Sequence, residues 1–231
     1  MTIEERIKRL AERAAAEVED GMRVGLGSGS TAEATVRALG ERVMLGLEIT
    51  AVATSAKTAQ LASEFGIPLV DLNDVECLDL GIDGADEIDP ELNLVKGRGG
   101  ALLWEKLVAR SCDRFLVVSA SEKLVSRLGE RMPLPVEVVP FGWRHTSSRI
   151  ESHGCTTQLR LKPDSAAPFE TDEGNYIVDC ETGPILEPAS FDIALKAITG
   201  VVDHGLFIGI ADRAMIVDPD GTVSIRYPEP G

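Results

Sequence analysis

The sequence is poor in aromatic residues, in histidine and in closely spaced cysteines. Phe, Trp and Tyr make up 4% of its 231 residues, so the hydrophobic core must be aliphatic. Three histidines and four widely separated cysteines, with no C-x-x-C pair, contain neither a zinc motif nor a disulfide framework. The apolar runs are shorter than the roughly 20 residues of a spanning helix, and the amino terminus is charged where a signal peptide would be apolar. We expect a soluble, cytoplasmic protein.

Basic residues are scarce as well. Lys and Arg total 23 against 38 Asp and Glu, which is a net charge of −15, and no run of five or six basic residues occurs. Such a chain repels the phosphate backbone of a nucleic acid, so we predict no nucleic-acid partner and no membrane partner. The remaining composition is that of a globular protein, with 44% hydrophobic residues in a length that fits one large domain or one domain with a smaller insert.

Short apolar runs alternate with amphipathic stretches over the first 131 residues. This alternation predicts βαβ units and a parallel sheet. The first predicted helix opens with a Thr2–Glu5 capping box, and the second ends with Gly40 as its C-cap. Helices are predicted over residues 2–19, 31–39, 55–65 and 101–111, and strands over 23–27, 48–54, 68–72, 77–84 and 114–120.

After residue 131 the pattern changes. Three prolines are followed by strand-like segments and one further helix, with turns at 172–175 and at Asp220-Gly221. The later strands are predicted over 154–162, 169–181 and 214–227, and the helix over 190–199. We predict an α/β fold in which a Rossmann-like parallel-sheet domain, residues 1–131 with 206–231, carries a second, smaller α+β domain, residues 132–205.

A glycine-rich turn, GLGSGST at residues 25–31, lies between a predicted strand and a predicted helix. Glycines let the backbone approach a ligand closely, and the N–H groups at the start of a helix favour an anion, so the turn predicts a phosphate cradle. It matches neither a Walker A loop nor G-x-G-x-x-G, which disfavours a nucleotide. The alternative interpretation is a tight strand-to-helix turn with a Ser/Thr N-cap.

Four acids in seven residues, DGADEID at 83–89, follow the end of a predicted buried strand. Parallel sheets bind ligands at that edge. The spacing fails the pattern of an EF-hand calcium loop. A magnesium site is also disfavoured. The alternatives are a functional role for the run, or turn capping by Asp86 or Asp89 on a generally acidic surface.

A second glycine-rich turn, KGRGGA at 96–101, precedes a predicted helix that carries Glu105 about one turn from its start. The neighbouring apolar residues 102–104 favour burial of this carboxylate, which would raise its pKa toward the range of a general base. Alternatively, Glu105 pairs with Lys106 or with a surface lysine. Lys123 lies just past the strand at 114–120, where the alternative to a functional role is a solvated residue at a helix start.

Six motifs together resemble ribose-5-phosphate isomerase, type A, in their order and approximate spacing: GLGSGSTAE, TSAKT, DGADEID, KGRGGALLWEK, SEKLV and VVDHGLF. The resemblance covers nearly the whole chain. It implies interconversion of D-ribose 5-phosphate and D-ribulose 5-phosphate through an enediolate, in the non-oxidative pentose phosphate pathway, with no cofactor and no metal. It also implies an α/β domain with a smaller α+β domain, assembled as a homodimer or homotetramer.

The resemblance also implies roles for individual residues. Glu105 matches the general base, and Asp83 matches the acid that opens the sugar ring and handles hydroxyl protons. Asp86 and Lys96 match the groups that hold the hydroxyls and the developing oxyanion. The implied substrate-binding residues are Ser28, Gly29, Ser30, Thr31, Asp83, Gly84, Ala85, Asp86, Lys96, Gly97, Gly99, Gly100 and Lys123.

The sequence departs from the family pattern in three places. The family's glycine turn commonly reads Lys-Gly-Gly-Gly-Gly-Ala, whereas this chain has Arg98, a bulky cation that bears on the geometry of the turn. Ser28 stands where the family often has threonine, which keeps the hydroxyl. The family's first helix often offers a lysine to the phosphate, for which the candidates here are Lys8 and Arg9.

Three rival interpretations differ from the isomerase in identifiable features. An amino-sugar phosphate deaminase or a lactonase of the same fold would be expected to show a histidine near the acidic strand end, and none lies near residues 83–105. A sugar-phosphate sensor of a transcription regulator would want a DNA-binding segment, for which this acidic chain shows no spare length. A catalytically inactive homologue is disfavoured by the presence of Glu105 and Asp83.

Overall fold

The computed structural model describes residues 1–229, which form six α-helices and thirteen strands. The helices are α1 Ile3–Ala15, α2 Ser30–Met44, α3 Ala56–Glu64, α4 Leu102–Arg110, α5 Trp143–Glu151 and α6 Pro188–Lys196. The strands are β1 Arg23–Leu26, β2 Thr50–Ala53, β3 Leu80–Asp83, β4 Glu87–Ile88, β5 Leu94–Val95, β6 Phe115–Ala120, β7 Leu134–Val138, β8 Thr156–Leu159, β9 Tyr176–Glu181, β10 Val201–His204, β11 Leu206–Phe207, β12 Arg213–Val217 and β13 Val223–Arg226.

The central sheet has six strands in the order β13-β12-β6-β3-β1-β2. All neighbours pair in parallel except β13, which runs antiparallel to β12 at the edge. Every residue of β6 is buried, as expected for a central strand covered on both faces. Helices α1 and α2 pack with the sheet in one aliphatic cluster that includes Leu10, Leu39 and Leu116. Val108 of α4 packs with Val52 and Leu78 in a separate cluster. The predicted parallel-sheet α/β fold is confirmed.

The carboxyl ends of β1, β3 and β6 lie side by side in this sheet. Each end leads into a segment that the sequence analysis marks for function: the turn after Leu26, the acidic run that begins at Asp83, and the segment that follows Ala120. Parallel strands bring such segments to a single edge. The order of the strands therefore assembles three separate motifs in one place.

A second, antiparallel sheet lies between residues 134 and 204, with strand order β10-β7-β9-β8. Helices α5 and α6 contribute Ile150 and Leu195 to its core, which includes Val136 and Val178. A small sheet of order β11-β5-β4 completes the strands of residues 1–229. The division of the chain into domains at residues 131/132 and 205/206 stays a prediction. Among the described residues, no helix combines the length and the apolar character needed to cross a membrane.

The predicted ends of the first two helices are wrong. The Thr2–Glu5 capping box is present, but α1 ends at Ala15 and not at residue 19. After Ala15 the backbone hydrogen bonds span three residues instead of four, as in the bond from Val18 N–H to the carbonyl of Ala15. Gly40 is not a C-cap but lies inside α2. A Cβ on Gly40 would lie 2.4 Å from the Cβ of Phe65, so this glycine is there for helix packing.

Two further segments, residues 68–72 and 143–151, also differ from the prediction. Residues 68–72 make only one isolated bridge, between Ala51 and Leu69, and the chain then turns through a short 3-10 helix capped by Asp71. No helix is predicted at 143–151, where the structure has α5. This helix starts after Gly142, whose backbone is in the left-handed conformation. The predicted turns at 172–175 and at Asp220-Gly221 are present.

Candidate active site

A cavity of about 310 Å³ opens at the carboxyl edge of the central sheet. Its wall is made of Ser28, Gly29, Ser30, Thr31, Gly84, Ala85, Asp86, Lys96, Gly97, Arg98, Gly99, Glu105 and Lys123. Two residues predicted for the site are not part of this wall. Asp83 is buried, with 1% of its surface exposed, and Gly100 faces the ring of Phe169. The structure thus brings the residues implied for substrate binding around a single space.

The turn from β1 to α2 needs glycine at two positions for different reasons. A Cβ on Gly27 would lie 2.2 Å from Asp83 Oδ1, so only glycine lets the turn pass this carboxylate. Gly29 has a φ of +86°, in the left-handed region that favours glycine. It occupies the N-cap of α2, so the Ser/Thr N-cap of the alternative interpretation is absent. The first N–H groups of α2 are therefore open to an anion.

The hydroxyl of Ser28 belongs to a cluster that the sequence analysis missed. Its Oγ lies 2.8 Å from Thr54 Oγ1, 2.9 Å from Ser55 Oγ and 3.1 Å from Thr58 Oγ1. All three partners come from the TSAKT motif, in which Ser55 also caps α3. That capping pattern after a strand is the local signal that could have found them. The cluster anchors the turn that leads into α2.

Three ionisable side chains form a buried cluster next to the cavity. Lys96 Nζ lies 3.0 Å from Asp83 Oδ2 and 3.2 Å from Glu105 Oε1. It also donates to the carbonyl of Gly84 at 2.7 Å. Asp83 Oδ1 accepts from the N–H groups of Ser28 and Gly84. Two carboxylate oxygens of the cluster, Asp83 Oδ2 and Glu105 Oε2, are buried without a hydrogen-bond partner within residues 1–229. Asp83 Oδ2 lies within ion-pair distance of Lys96, whereas Glu105 Oε2 has no partner of either kind.

The alternative in which Glu105 pairs with its neighbour Lys106 is wrong. Lys106 Nζ donates to Asp203 Oδ1 and to the carbonyl of His204. Successive residues of a helix point about 100° apart, so Glu105 and Lys106 reach different surroundings. Only Glu105 is turned toward the cavity.

Burial and neighbouring charge set the protonation of the cluster. Burial raises the pKa of Glu105 to about 7, against the attraction of Lys96. Burial also raises the pKa of Asp83, which Lys96 opposes in the same way. For Lys96, burial alone lowers the pKa, but Asp83 and Glu105 outweigh it and hold the pKa above its usual range. Near neutral pH, a permanent cation thus lies beside a carboxyl group that can accept and return a proton.

The glycine turn before α4 accommodates its arginine without distortion. The left-handed conformation occurs at Gly97, with φ +99°, and at Gly100, with φ +83°, but not at Arg98. The Arg98 residue is exposed, and its N–H donates to Asp86 Oδ2 at 3.0 Å. Asp86 therefore holds the turn as well as lining the cavity. The departure from the family pattern falls on a position whose backbone does not require glycine.

Two cations, Lys123 and Arg6, lie in or against the short segment that follows β6. Lys123 ends the short turn after β6 and is part of the cavity wall. Arg6 of α1 is buried, and its Nη2 donates to Glu122 Oε1 at 2.7 Å, beside Lys123. Lys8 and Arg9, the two candidates from the sequence, are exposed and lie outside the wall. The ion pair between Arg6 and Glu122 lies outside this wall and was not predicted, because it depends on tertiary packing.

The remaining acids of the run 83–89 have structural partners. Glu87 is buried and accepts hydrogen bonds from N–H groups of the loop 129–132. Asp89 Oδ1 accepts from the N–H of Asn93 at 2.8 Å, which is the predicted turn capping. Within residues 1–229, no group of three His, Cys, Asp or Glu side chains is placed to hold a metal ion. The expectation of a metal-free and cofactor-free reaction stays a prediction.

The fold and the site define the class of protein. A buried carboxylate with a free oxygen, a lysine beside it and a glycine-rich helix N-terminus share one cavity at the carboxyl edge of a parallel sheet. This arrangement is typical of an enzyme that moves protons on a small anionic substrate.

The model of the family ribose 5-phosphate isomerase A (phosphoriboisomerase A) matches residues 50–221. Ribose-5-phosphate isomerase A of Thermomicrobium roseum is 52% identical over 94% of this chain and 92% of its own length. The same enzyme of Parvibaculum lavamentivorans is 49% identical over 96% of this chain and 98% of its own length.

Solved structures agree with the sequence relatives. A D-ribose-5-phosphate isomerase in complex with phospho-erythronic acid has a TM-score of 0.95 at 37% identity, covering 98% of this chain and 100% of that chain. The ribose 5-phosphate isomerase of Plasmodium falciparum has a TM-score of 0.94 at 35% identity, covering 99% and 100%. The chain belongs to the ribose 5-phosphate isomerase A family. It is an aldose-ketose isomerase that interconverts D-ribose 5-phosphate and D-ribulose 5-phosphate in the pentose phosphate pathway.

Proposed function

We propose that the isomerisation proceeds through an enediolate with Glu105 as the general base. In the open-chain aldose, Oε2 of Glu105 takes the proton from carbon 2. The electron pair of that bond forms the double bond between carbons 1 and 2, and the carbonyl oxygen on carbon 1 becomes an oxyanion. The same carboxyl group then returns the proton to carbon 1, which takes the electron pair of the double bond. The hydroxyl on carbon 2 passes its proton, by way of Asp83, to the oxyanion on carbon 1, so that carbon 2 becomes the ketone and carbon 1 carries the hydroxyl.

One observation carries this proposal. Glu105 has 5% of its surface exposed, lies in the cavity wall and keeps one oxygen without a partner within residues 1–229. An unsatisfied buried polar atom costs roughly 1–3 kcal/mol, and more when it is charged. Oε2 of Glu137 is also buried without a hydrogen-bond partner, but Glu137 lies outside the cavity wall. Glu105 is part of that wall, so its free oxygen favours a role in proton transfer.

Lys96 and the two aspartates act on the sugar oxygens in this proposal. Lys96 stabilises the oxyanion of the enediolate, because its positive charge is fixed in place before the negative charge develops. Asp83 is the acid that opens the furanose ring and handles hydroxyl protons, and it acts beside Lys96 at 3.0 Å. Asp86 lines the cavity and holds the hydroxyls.

The phosphate group lies in the turn at the start of α2. Open N–H groups, the hydroxyls of Ser30 and Thr31, and the ammonium of Lys123 form this part of the wall. Gly29, Gly84, Ala85, Gly97 and Gly99 line the same wall, and Gly100 supports the turn behind it. The relative solved with phospho-erythronic acid supports an anionic, phosphorylated ligand here. These local donors offset the net charge of −15, which by itself repels a phosphate ester.

The test is a comparison of the wild-type enzyme with Glu105→Gln in the presence of EDTA. Ketose formation from D-ribose 5-phosphate should fall by at least about 10²-fold in kcat, the lower range for a positioned acid-base group. Deuterium from solvent should enter carbon 1 of the product only with the wild-type enzyme. Glu41→Gln, an exposed glutamate on α2, is the matched control and should keep full activity.

Two outcomes contradict parts of the proposal. A Glu105→Gln enzyme within about threefold of wild-type kcat removes Glu105 as the base, since threefold corresponds to less than 1 kcal/mol. Loss of wild-type activity in EDTA that magnesium restores overturns the metal-free mechanism.

The chain also acts as a homodimer or homotetramer in the cytoplasm in this proposal, with residues 132–205 as its smaller domain. Phe141, Leu186 and Ile193 are 94%, 70% and 69% exposed, which supports contact with a second copy.

All four cysteines are free thiols, as expected in a reducing compartment. Light scattering of the purified protein and fractionation of cells test these two statements; a monomer or a membrane fraction contradicts them.

A further inference from the structure

We propose that Arg160 is a positioning residue for the isomerase reaction, which holds the glycine turn of the site against the antiparallel sheet. This inference rests on the site proposed above. Arg160 follows β8 and lies outside the cavity wall. Its Nη1 donates to the carbonyls of Gly97 and Arg98, each at 3.0 Å. One side chain from the second sheet thus binds two successive peptide groups of the turn.

The other side of the guanidinium is fixed by Asp179 of β9. Nε donates to Asp179 Oδ2 at 2.9 Å, and Nη2 donates to Asp179 Oδ1. Such a bidentate pair sets the plane of the guanidinium as well as its position. The ring of Phe169 lies 5.9 Å from the guanidinium and also meets Gly100, where a Cβ would lie 2.4 Å from the ring. Arg160 therefore reaches the turn from a rigid support.

The two bonds from Arg160 help to fix the peptide groups of the turn, in which the Gly100 N–H also donates to the Gly97 carbonyl at 3.0 Å. All peptide bonds of the described residues are trans, so each carbonyl and the following N–H point in opposite directions. The Gly97 carbonyl faces Arg160, and the Arg98 N–H accordingly donates to Asp86 on the cavity side. The Arg98 carbonyl also faces Arg160, which directs the Gly99 N–H away from it. Gly99 lines the cavity, so in this proposal its N–H is a donor for a substrate oxygen.

The turn also connects two residues of the proposed proton transfer, Lys96 and Glu105. Lys96 precedes it and Glu105 follows it in the first turns of α4. Glycine at positions 97, 99 and 100 gives the backbone of this segment a wide conformational range, which the bonds from Arg160 restrict. A displacement of about 1 Å in a catalytic constellation can lower the rate by about 10²-fold. Loss of Arg160 should therefore reduce turnover although Arg160 does not contact the substrate.

The test compares Arg160→Met and Arg160→Lys with Lys162→Met, a control on the same segment whose ion pair with Glu170 is exposed. We expect kcat of Arg160→Met to fall by about 10- to 100-fold with a smaller change in KM. Arg160→Lys should remain impaired, because one ammonium cannot bind Asp179 in a bidentate manner and bridge two carbonyls. Lys162→Met should match wild type. Circular dichroism ensures that each assay is run below the unfolding midpoint.

Chemical rescue separates positioning from a purely structural role. Guanidinium chloride added at concentrations that do not unfold the protein should raise kcat of Arg160→Ala several-fold, whereas sodium chloride at the same ionic strength should not. A kcat within about threefold of wild type in Arg160→Met overturns the proposal. The proposal is also overturned if guanidinium does not restore kcat and the loss of kcat matches a loss of folded protein. Retained activity of Glu105→Gln, in contrast, contradicts the proposed base and not the role of Arg160.

Discussion

Two ion clusters meet on α4, one residue apart; the first is buried, whereas Lys196 of the second has 53% of its side chain exposed. The acid-rich cluster contains Asp83, Lys96 and Glu105, and the lysine-rich cluster contains Lys106, Lys196 and Asp203. In the acid-rich cluster two carboxylates share one cation, and an oxygen of Glu105 stays free beside the cavity. In the lysine-rich cluster two cations share one carboxylate, which also accepts the N–H of His204 at 2.8 Å.

The difference in charge balance decides which cluster exchanges protons near neutral pH. Burial raises the pKa of Glu105 to about 7, because a single lysine cannot offset two buried carboxylates. Burial would also raise the pKa of Asp203, but Lys106 and Lys196 outweigh it and lower that pKa to about 2. Burial and the charge of Lys106 lower the pKa of His204 to about 3. Asp203 and His204 are therefore each held in one protonation state near neutral pH, whereas Glu105 is not; burial lowers the pKa of Lys106 against the attraction of Asp203.

The largest expected effects come from removing the lysine of each cluster. Lys96→Met should lower kcat by about 10²-fold or more, because the developing oxyanion loses its cation. Lys106→Met should lower the free energy of unfolding by roughly 3 kcal/mol, as for other broken buried ion pairs, while kcat of the folded fraction changes little. Steady-state kinetics and urea unfolding of both variants check this contrast. The comparison fails if Lys106→Met loses turnover without losing stability, or if Lys96→Met keeps its turnover.

A smaller effect is expected on stability as a function of pH. The pKa of Glu105 is raised in the folded state, so between about pH 4.5 and pH 7 the folded protein holds a proton that the unfolded chain has lost. The free energy of unfolding therefore decreases as pH rises through this window. Glu105→Gln removes the effect and should be more stable than wild type by roughly 1–3 kcal/mol at pH 8, with no such advantage below about pH 4.

Urea unfolding of both proteins from pH 4 to pH 8 measures this difference. A constant difference across the range would mean that the carboxyl of Glu105 titrates alike in the folded and unfolded states.

The smallest effect is expected at Arg98. Arg98→Gly restores the common family pattern at a position where the arginine backbone is already unstrained. We expect kcat/KM to change by less than about threefold. Steady-state kinetics of this variant beside Lys96→Met compares two positions of the same turn. A large loss or gain would show that the exposed guanidinium takes part in the reaction.

Local patterns predicted the central sheet well, because its strands are apolar runs between turn residues. RFLVVSA, for example, forms the fully buried β6. The errors arise where tertiary contacts override a local pattern. Gly40 has the composition of a helix end, but its contact with Phe65 keeps it inside α2. Residues 68–72 have the composition of a strand, yet they form one isolated bridge beside β2.

The candidate site likewise contains residues that a local pattern predicted and residues that only tertiary contacts reveal. Asp83, Lys96 and Glu105 lie within 23 residues of one another and in motifs with a chemical signature, so the sequence was sufficient to propose them. Arg6 and Arg160 lie far from those motifs, and no local pattern distinguishes them from surface arginines. Their roles depend on burial beside Glu122 and on bonds to the turn 97–98. Such partners become visible only when the fold brings them together.

The central claim is that a buried Glu105 titrates near neutral pH beside a permanent lysine cation. Its most direct test is NMR of protein labelled with ¹³C at the glutamate side-chain carboxyl, titrated from pH 4 to pH 9, with Glu105→Gln to assign the resonance. We predict that the assigned resonance titrates with a midpoint near pH 7. A midpoint near the ordinary glutamate value of about 4.3 would contradict the account.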